Sequence, residues 1–345
     1  MQARDSHAII SIVTWNSERY ISDLLKSLEE QAFQDFHIIF IDNASKDNTL
    51  KLIPQKPNIT IIRNTSNVGF SRGHNKGIEM AMKFWKGLSL DDRYIFIVNP
   101  DIVMDTNCIR ELLLEMSKKK EVAMSGPKLL RIFEEEVDNL PQKTKSKIVD
   151  SLGIDIYKSR KSTERFSGQE YDKKEAQEVF GVSGAFMCIR ASALESIKMD
   201  NEYFDEDFFA YKEDVDLCWR MRNMGMSIIT CPSAISYHYR RVKPPQKKNI
   251  FTILKNQKTK SSFVQFLSTR NHIWLLLKND FTLNYLIDFP FIFCREVGKF
   301  FYTLFLTPKN IKAYFSALKG LPKMLRKRKY LKNAITREEV RIWIR

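Results

Sequence analysis

Tyr94-Ile-Phe-Ile-Val-Asn-Pro-Asp101 runs an unbroken apolar stretch straight into an Asn-Pro-Asp turn. Such a run, too short for a helix, reads as a strand buried on both faces, as in a parallel sheet flanked by helices. Its end leaves the carboxylate of Asp101 at the strand's carboxyl edge, where open α/β sheets bind their ligands. A single acid on a proline-stiffened turn suits a divalent cation that shares a phosphate, because hard cations take oxygen ligands. The same residues also make an ordinary Asx-Pro turn, and the turn alone does not separate the two readings.

Upstream, Ile9–Val13, His37–Ile41 and Ile59–Ile62 are further apolar runs, separated by helix-like stretches over Tyr20–Leu28, near Asn48–Ile53 and over Gly73–Phe84. Alternation of this kind predicts βα units of a parallel sheet. Polar groups follow two of these strands, at Thr14-Trp15-Asn16 and Asp42-Asn43-Ala44-Ser45, so they should converge with Asp101 on one crevice. Trp15 reads as core. Gly69 and Gly73 permit close backbone approach in the loop Asn67–Asn75, which opens a helix whose amino end favours anions. That loop matches neither a Walker loop nor a dinucleotide fingerprint. Further on, Glu213, Asp214 and Asp216 cluster ahead of Arg220 and Arg222, a pattern that residue chemistry alone assigns to a helix amino terminus decorated to suit its dipole.

Six stretches together resemble the family 2 glycosyltransferases with the GT-A fold, in particular their rhamnosyltransferase-like branch. They are Ile12–Ser17, Ile41–Asp47, Asn64–Asn75, Val98–Asp101, Val182–Phe186, and Phe204–Phe209 running into Lys212–Leu217, in family order within about residues 8 to 240. The resemblance implies an α/β, Rossmann-like GT-A domain over residues 1–245 and leaves 246–345 as a basic, mainly helical carboxyl-terminal region. It implies inverting transfer of a sugar from a nucleotide diphosphate to an acceptor hydroxyl, with Mg²⁺ or Mn²⁺ as cofactor. The donor site would comprise Thr14, Asn16, Asp42, Asn43, Gly69, Arg72, Asn75, Asn99 and Asp101, with Asp42 against the pyrimidine base. Asp101 and His238 would face the metal, Asp214 with its neighbour Glu213 would supply the general base, and Gly184, Asp205 and Glu206 would lie on the acceptor side. Many members carry a second acid at the position of Asn99; Asn can bond ribose but adds no charge to a metal site. In this branch donors include dTDP-rhamnose, the first expectation here, and uridine-diphosphate sugars, and acceptors include lipid-linked glycans of cell-surface polysaccharide synthesis.

Two other classes fit less well. A nucleotidyltransferase should carry a basic, glycine-rich loop near its first strand, which Ser11–Glu18 lacks. A nucleic-acid-binding protein would explain basic charge but not Asp42, Asp101 and Asp214 at the ends of separate elements, so no nucleic-acid partner is expected.

The chain of 345 residues, 43% hydrophobic, has room for one large domain and an appendage. Its five cysteines are scattered and odd in number, which suggests a reducing compartment. The first strand begins by Ile9, too early to leave room for a signal sequence. The net charge of +15 is segregated: twelve Lys and Arg and no acid lie between Leu217 and Asn279, and twelve more face only Glu338 and Glu339 between Thr307 and Arg345. A basic flank on an acidic body points to an anionic partner. Leu286–Leu306 is rich in aromatics, but Asp288, Arg295, Glu296 and Lys299 interrupt it too often for a spanning helix. Downstream, Ile311, Phe315, Leu318, Leu321 and Leu325 mark an apolar stripe beside the Arg326-Lys-Arg-Lys329 cluster. The expectation is a cytoplasmic protein held peripherally at the inner face of the cell membrane by anionic lipid; the alternative is a helical subdomain packed on the catalytic core. Ile132–Gln177, polar and without clear period, is expected to form an acceptor-facing excursion or a flexible lid.

Overall fold

A computed structural model describes residues 3, 6–137, 140–240, 261–331 and 333–345. The expected boundary at 245/246 lies outside the described residues, as does much of the first basic cluster. The chain begins β1 (Ala8–Thr14), α1 (Glu18–Glu29), β2 (Phe36–Asp42), α2 (Thr49–Leu52), β3 (Ile59–Arg63), α3 (Gly69–Phe84) and β4 (Tyr94–Val98). These four strands are parallel, as the apolar runs predict, and β1 and β2 are in register from Ala8 opposite Phe36 to Thr14 opposite Asp42. Alternate residues face opposite layers. Ile10, Ile12, Phe40, Phe96 and Val98 pack with α1, while Ile9, Ile39, Ile41, Ile95 and Ile97 pack with α3. Burial on both faces is why no polar alternation interrupts these runs.

Next come β5 (Ile102–Met104), α4 (Cys108–Lys118), β6 (Val122–Val137), β7 (Leu140–Ser151), β8 (Ile154–Ile156), β9 (Ser162–Glu164), β10 (Gln177–Glu178), β11 (Phe186–Arg190), α5 (Ala191–Ser196), α6 (Glu213–Asn223) and β12 (Ser227–Arg240). The main sheet runs β3-β2-β1-β4-β11-β6-β12-β10, and it is mixed rather than wholly parallel. β11 is antiparallel to β4, with Phe186 opposite Val98, so the residues that precede β11 sit at the edge where β4 ends. β12 is antiparallel to β5, with His238 opposite Ile102. These two reversals bring Gly184 and His238 to Asp101.

The stretch expected to form an excursion or flexible lid is built of strands instead. β6 and β7 form an antiparallel hairpin and β8 pairs with β9. Its buried apolar positions, among them Ile132, Phe133, Val149, Leu152, Ile154 and Ile156, fall in several short pieces, so no single period marks them.

The carboxyl-terminal region is helical: α7 (Ser262–Asn279), α8 (Thr282–Ile287), α9 (Phe289–Leu306), α10 (Lys312–Lys329) and α11 (Arg337–Arg341). It packs on the α/β body through buried charge. Lys278 Nζ lies 2.6 Å from carboxylates of both Asp205 and Asp216, and Lys327 reaches Asp205, Asp207 and Glu202. Arg160, fully buried, pairs with Asp280 and Asp288. Lys327 therefore leaves the expected lipid-facing cluster, and Arg328 turns to the Leu277 carbonyl. The inner face of α10 is Ala313, Ala317 and Met324, while Phe315, Leu318 and Leu325 of the apolar stripe are exposed.

Candidate active site

A cleft of about 630 Å³ opens at the carboxyl edge of the parallel strands, and Asn99, Asp101, Gly184, Glu213, Asp214 and His238 all line it. The Asn99 amide donates to the Ala185 carbonyl at 2.9 Å, which fastens the Asn-Pro-Asp turn to the segment before β11. Asp101 Oδ2 lies 3.3 Å from His238 Nε2, and Asp150 Oδ2 lies 2.8 Å from His238 Nδ1. Asp150 Oδ1 is held in turn by Arg131 at 3.1 Å. Nδ1–H donating to Asp150 places the lone pair of a neutral His238 at Nε2, facing the Asp101 carboxylate. Two acceptors at that separation repel each other unless a proton or a cation lies between them. Asp101 Oδ1 is buried without a hydrogen-bond partner among the described residues. The pair thus fits one side of a cation site, with Asp150 as orienting group. Among the described residues no three His, Cys, Asp or Glu side chains gather into a metal cage, so the remaining ligands would come from substrate oxygen. Asp150 lies in the stretch expected to be an excursion, and nothing in its own neighbourhood marked it.

Asp214 stands at the start of α6, partly exposed to the cleft. Its Oδ2 accepts from the Gly184 amide at 3.1 Å and its Oδ1 from the Val215 amide at 2.8 Å. Glu213 is buried, and burial together with the neighbouring Asp214 raises its carboxyl well above the ordinary range. Burial thus disfavours the charged form of Glu213, whereas Asp214 is partly exposed to the cleft. The loop that presents both acids is strained: Phe209, Tyr211 and Lys212 have φ of 64°, 70° and 76°. Non-glycine residues held there cost on the order of 1–3 kcal/mol each and persist where surrounding structure over-determines them. Here the Asn271 amide, from α7, donates to the carbonyls of Phe208, Ala210 and Tyr211. Arg270 donates to the Asp207 and Phe208 carbonyls. The helical region thus braces the acid-bearing loop, a role invisible in sequence because the contacts are to backbone some sixty residues away.

The remaining expected residues divide. Thr14 Oγ1 donates to Asp42 Oδ1 at 3.0 Å, and the Ser45 amide donates to Asp42 Oδ2 at 3.0 Å, so buried Asp42 closes an Asx-type turn at the strand edge. Asn16 Oδ1 accepts from the Lys46 amide beside it. Trp15, expected in the core, is 56% exposed here, because the chain turns outward after Thr14. Asn43 ties Asn64 to the Gly69 carbonyl. At the start of α3 the Phe70 and Ser71 amides donate to the Phe209 carbonyl and the Gly69 amide to Asn67, so these amides are already engaged within the protein. A Cβ on Gly69 would lie 2.6 Å from that Phe209 oxygen, which explains the glycine. Asn75 is buried, bonding the backbone of Phe204 through both side-chain ends, and Arg72 pairs with Glu206 at 3.4 Å. Asp205 is buried between Lys278 and Lys327. None of Thr14, Asn16, Asp42, Asn43, Gly69, Arg72, Asn75, Asp205 and Glu206 lines the cleft itself.

Residues 9–198 match the model of glycosyl transferase family 2. The chain is 28% identical over 237 residues to the rhamnosyltransferase WbbL of Escherichia coli strain K12, covering 67% of this chain and 82% of that protein. It is 26% identical over 235 residues to the N-acetylglucosaminyl-diphospho-decaprenol L-rhamnosyltransferase of Mycobacterium tuberculosis strain H37Rv, covering 66% of this chain and 74% of that one. Among solved structures, residues 1–349 of Staphylococcus aureus TarS in complex with UDP-GlcNAc superpose with a TM-score of 0.54 at 14% identity, over 94% of this chain and 82% of that one. GalNAc-T7 with UDP, GalNAc and Mn²⁺ gives 0.58 at 12% identity, over 79% and 48%. The shared fold is GT-A, extended here by a helical carboxyl-terminal region.

Proposed function

Since the chain belongs to glycosyl transferase family 2, we propose that it transfers rhamnose from dTDP-rhamnose, with inversion, to a lipid-linked glycan in cell-surface polysaccharide synthesis. The observation that carries this reading is the meeting of Asp101, His238 and Asp214 in one cleft at the sheet edge. The base would lie over the edge formed by Thr14, Asn16, Asp42 and Asn43, with exposed Trp15 as a flat face for it. Asn99, which lines the cleft with Asp101, would bond the ribose. Asp101 and His238 would hold a divalent cation, which when bound offsets the charge that builds on the departing diphosphate. Asp214 accepts the proton of the acceptor hydroxyl as its oxygen bonds to the anomeric carbon from the face opposite the leaving group. The bond from that carbon to the nucleoside diphosphate breaks in the same step, so configuration inverts.

Rhamnose is favoured by the rhamnosyltransferases among the relatives, and a lipid-linked acceptor by the M. tuberculosis relative, an N-acetylglucosaminyl-diphospho-decaprenol L-rhamnosyltransferase. The TarS complex keeps a uridine-diphosphate sugar as the second donor reading.

The outer face of the helical region supports work at a membrane surface. In α9 and at its amino-terminal cap the charged residues turn inward, Asp288 to Arg160 and Arg341, Arg295 and Glu296 to His272, while Phe293, Phe301, Phe305 and Leu306 are exposed. A solvated helix shows the opposite arrangement. No helix among the described residues is long and apolar enough to cross a membrane. The aromatic ridge, with exposed Arg326 and Lys329 nearby, suits the interface of an anionic bilayer on the cytoplasmic side.

Incubation of the full chain with Mn²⁺, a panel of nucleotide sugars and a prenyl-diphosphate-linked N-acetylglucosamine tests the reading. It expects dTDP-rhamnose to be consumed and the new glycoside to show inverted anomeric configuration by NMR. Consumption of none of the panel, or retained configuration, contradicts it.

A further inference from the structure

Tyr211 stands three residues before Asp214, lines the catalytic cleft and is 44% exposed, although its φ is 70°. Bulky side chains avoid that backbone region, and one kept there points to a function for its placement. The placement is built from outside the loop. The Asn271 amide donates to the Ala210 carbonyl at 2.9 Å and to the Tyr211 carbonyl at 2.7 Å, so the backbone cannot relax without losing both bonds. The strand β9 gives the same cleft a polar wall through Ser162, Thr163 and Glu164. β8 sets that wall beside the acid: Glu164 is opposite Ile154, whose amide donates to the Gly181 carbonyl at 2.7 Å, and Gly184, three residues on, holds Asp214. The Ser151 hydroxyl donates to the Glu164 carboxylate and Lys212 donates to Ser162 Oγ, which ties the wall to β7 and to the loop that carries Tyr211.

An open aromatic side chain beside a row of hydroxyl and carboxylate oxygens suits a sugar. The C–H face of a pyranose packs on the electron-rich face of an aromatic ring, and its hydroxyls bond side-chain oxygens around the rim. Charge narrows the class of sugar. Asp101, Glu164, Glu213 and Asp214 line the cleft against Lys212 and His238, so a carboxylate on the bound ring would add negative charge to an acidic site. Resting on the transfer reaction proposed above, we propose that Tyr211 is the platform for the accepting sugar ring, that β9 bonds its hydroxyls, and that this ring is uncharged.

Saturation-transfer-difference NMR tests this on the full-length protein with Mn²⁺ and saturating dTDP and UDP. The probes are the methyl glycosides of glucose, galactose, rhamnose, N-acetylglucosamine and glucuronic acid. The proposal expects at least one neutral glycoside to bind despite the nucleotides, with saturation on its ring C–H protons, and the glucuronide to bind about tenfold more weakly. Tyr211→Phe should keep the neutral ligand, whereas Tyr211→Gly should weaken it about tenfold, the scale of one aromatic contact. Glycine is at ease at positive φ, so Tyr211→Gly should not lower the thermal unfolding midpoint, as removal of a packing residue would. Glu164→Gln should narrow the gap between the glucuronide and the neutral ligand. Failure of every neutral glycoside to bind, glucuronide binding of equal strength, or binding indifferent to Tyr211→Gly overturns the proposal. A lowered midpoint in Tyr211→Gly marks the ring as packing and overturns it too, and an unchanged gap in Glu164→Gln overturns the part given to β9. Binding is read without turnover: absent transfer with glycoside binding intact counts against the reaction, and transfer by Tyr211→Gly with an unaltered acceptor KM counts against this site.

Discussion

The Gly184 amide donates to Asp214 Oδ2 at 3.1 Å, and a Cβ built on Gly184 would lie 3.0 Å from the Cβ of Asp214. The antiparallel strand β11 and the acidic start of α6 therefore meet at a point where only glycine fits without displacing the acid. Gly184→Ala should push Asp214 by a few tenths of an ångström and lower transfer by about tenfold to a hundredfold, the scale on which small misplacements act. Nucleotide-sugar affinity, read by calorimetry, should change little. An alanine variant with normal turnover would separate Asp214 from the chemistry.

Asp101 and Asp150 approach His238 from opposite sides, and they should fail differently. Asp101→Ala removes a direct ligand and should abolish the gain in nucleotide-sugar affinity that Mn²⁺ provides. Asp150→Ala frees the ring and should weaken Mn²⁺ affinity by about 10–100-fold, the usual effect of losing an orienting group. Nucleotide affinity in EDTA should be unaltered in both. Unchanged Mn²⁺ titrations would remove the cation from this pair.

Asp205 tests the bracing of the helical region. Burial would raise its carboxyl, but the charges of Lys278 and Lys327 outweigh burial and hold it below the ordinary range. Its folded-state pKa thus lies under the unfolded value of about 3.9. The stabilisation is fully present above that value and is lost as pH falls through the folded-state pKa. Asp205→Ala should destabilise by roughly 3–5 kcal/mol, because it leaves buried ammonium groups short of a partner. Urea melts between pH 5 and 2 should show a weaker acid dependence in the variant than in the unmodified protein. Equal slopes would show that this network does not set acid stability.

Vesicle sedimentation addresses the aromatic ridge. Phe301→Ser with Phe305→Ser should release the protein from anionic vesicles at low salt. Charge reversal at exposed Arg326 and Lys329 should weaken binding by about 1 kcal/mol for each charge removed from the lipid surface, and salt should weaken it in the unmodified protein. Indifference of the full chain to anionic vesicles would leave the helical region as a packed subdomain only.

The parallel half of the sheet was legible because Ile9–Val13, His37–Ile41 and Tyr94–Val98 are apolar on both faces and end in polar turns. The meeting of Asp101, His238, Gly184 and Asp214 followed from motif order, although the geometry rests on the antiparallel pairings of β11 and β5, which periodicity does not encode. Asp205 and Asn75 were harder to place. Asp205 finds its cations 73 and 122 residues downstream, and Asn75 bonds backbone 129 residues away. The apolar stripe of α10 was visible, but its helix buries the opposite face: Trp274 crowds Gly320, and Lys327 satisfies carboxylates instead of lipid.

The central claim is that Asp214 takes the acceptor proton. Asp214→Asn keeps the shape of the side chain and removes its basicity, so single-turnover transfer from dTDP-rhamnose, measured beside dTDP-rhamnose affinity, separates chemistry from binding. The account predicts unaltered affinity and a rate lower by about 10²–10⁴, the range of general-base catalysis. Transfer at the unmodified rate, with affinity intact, would contradict it.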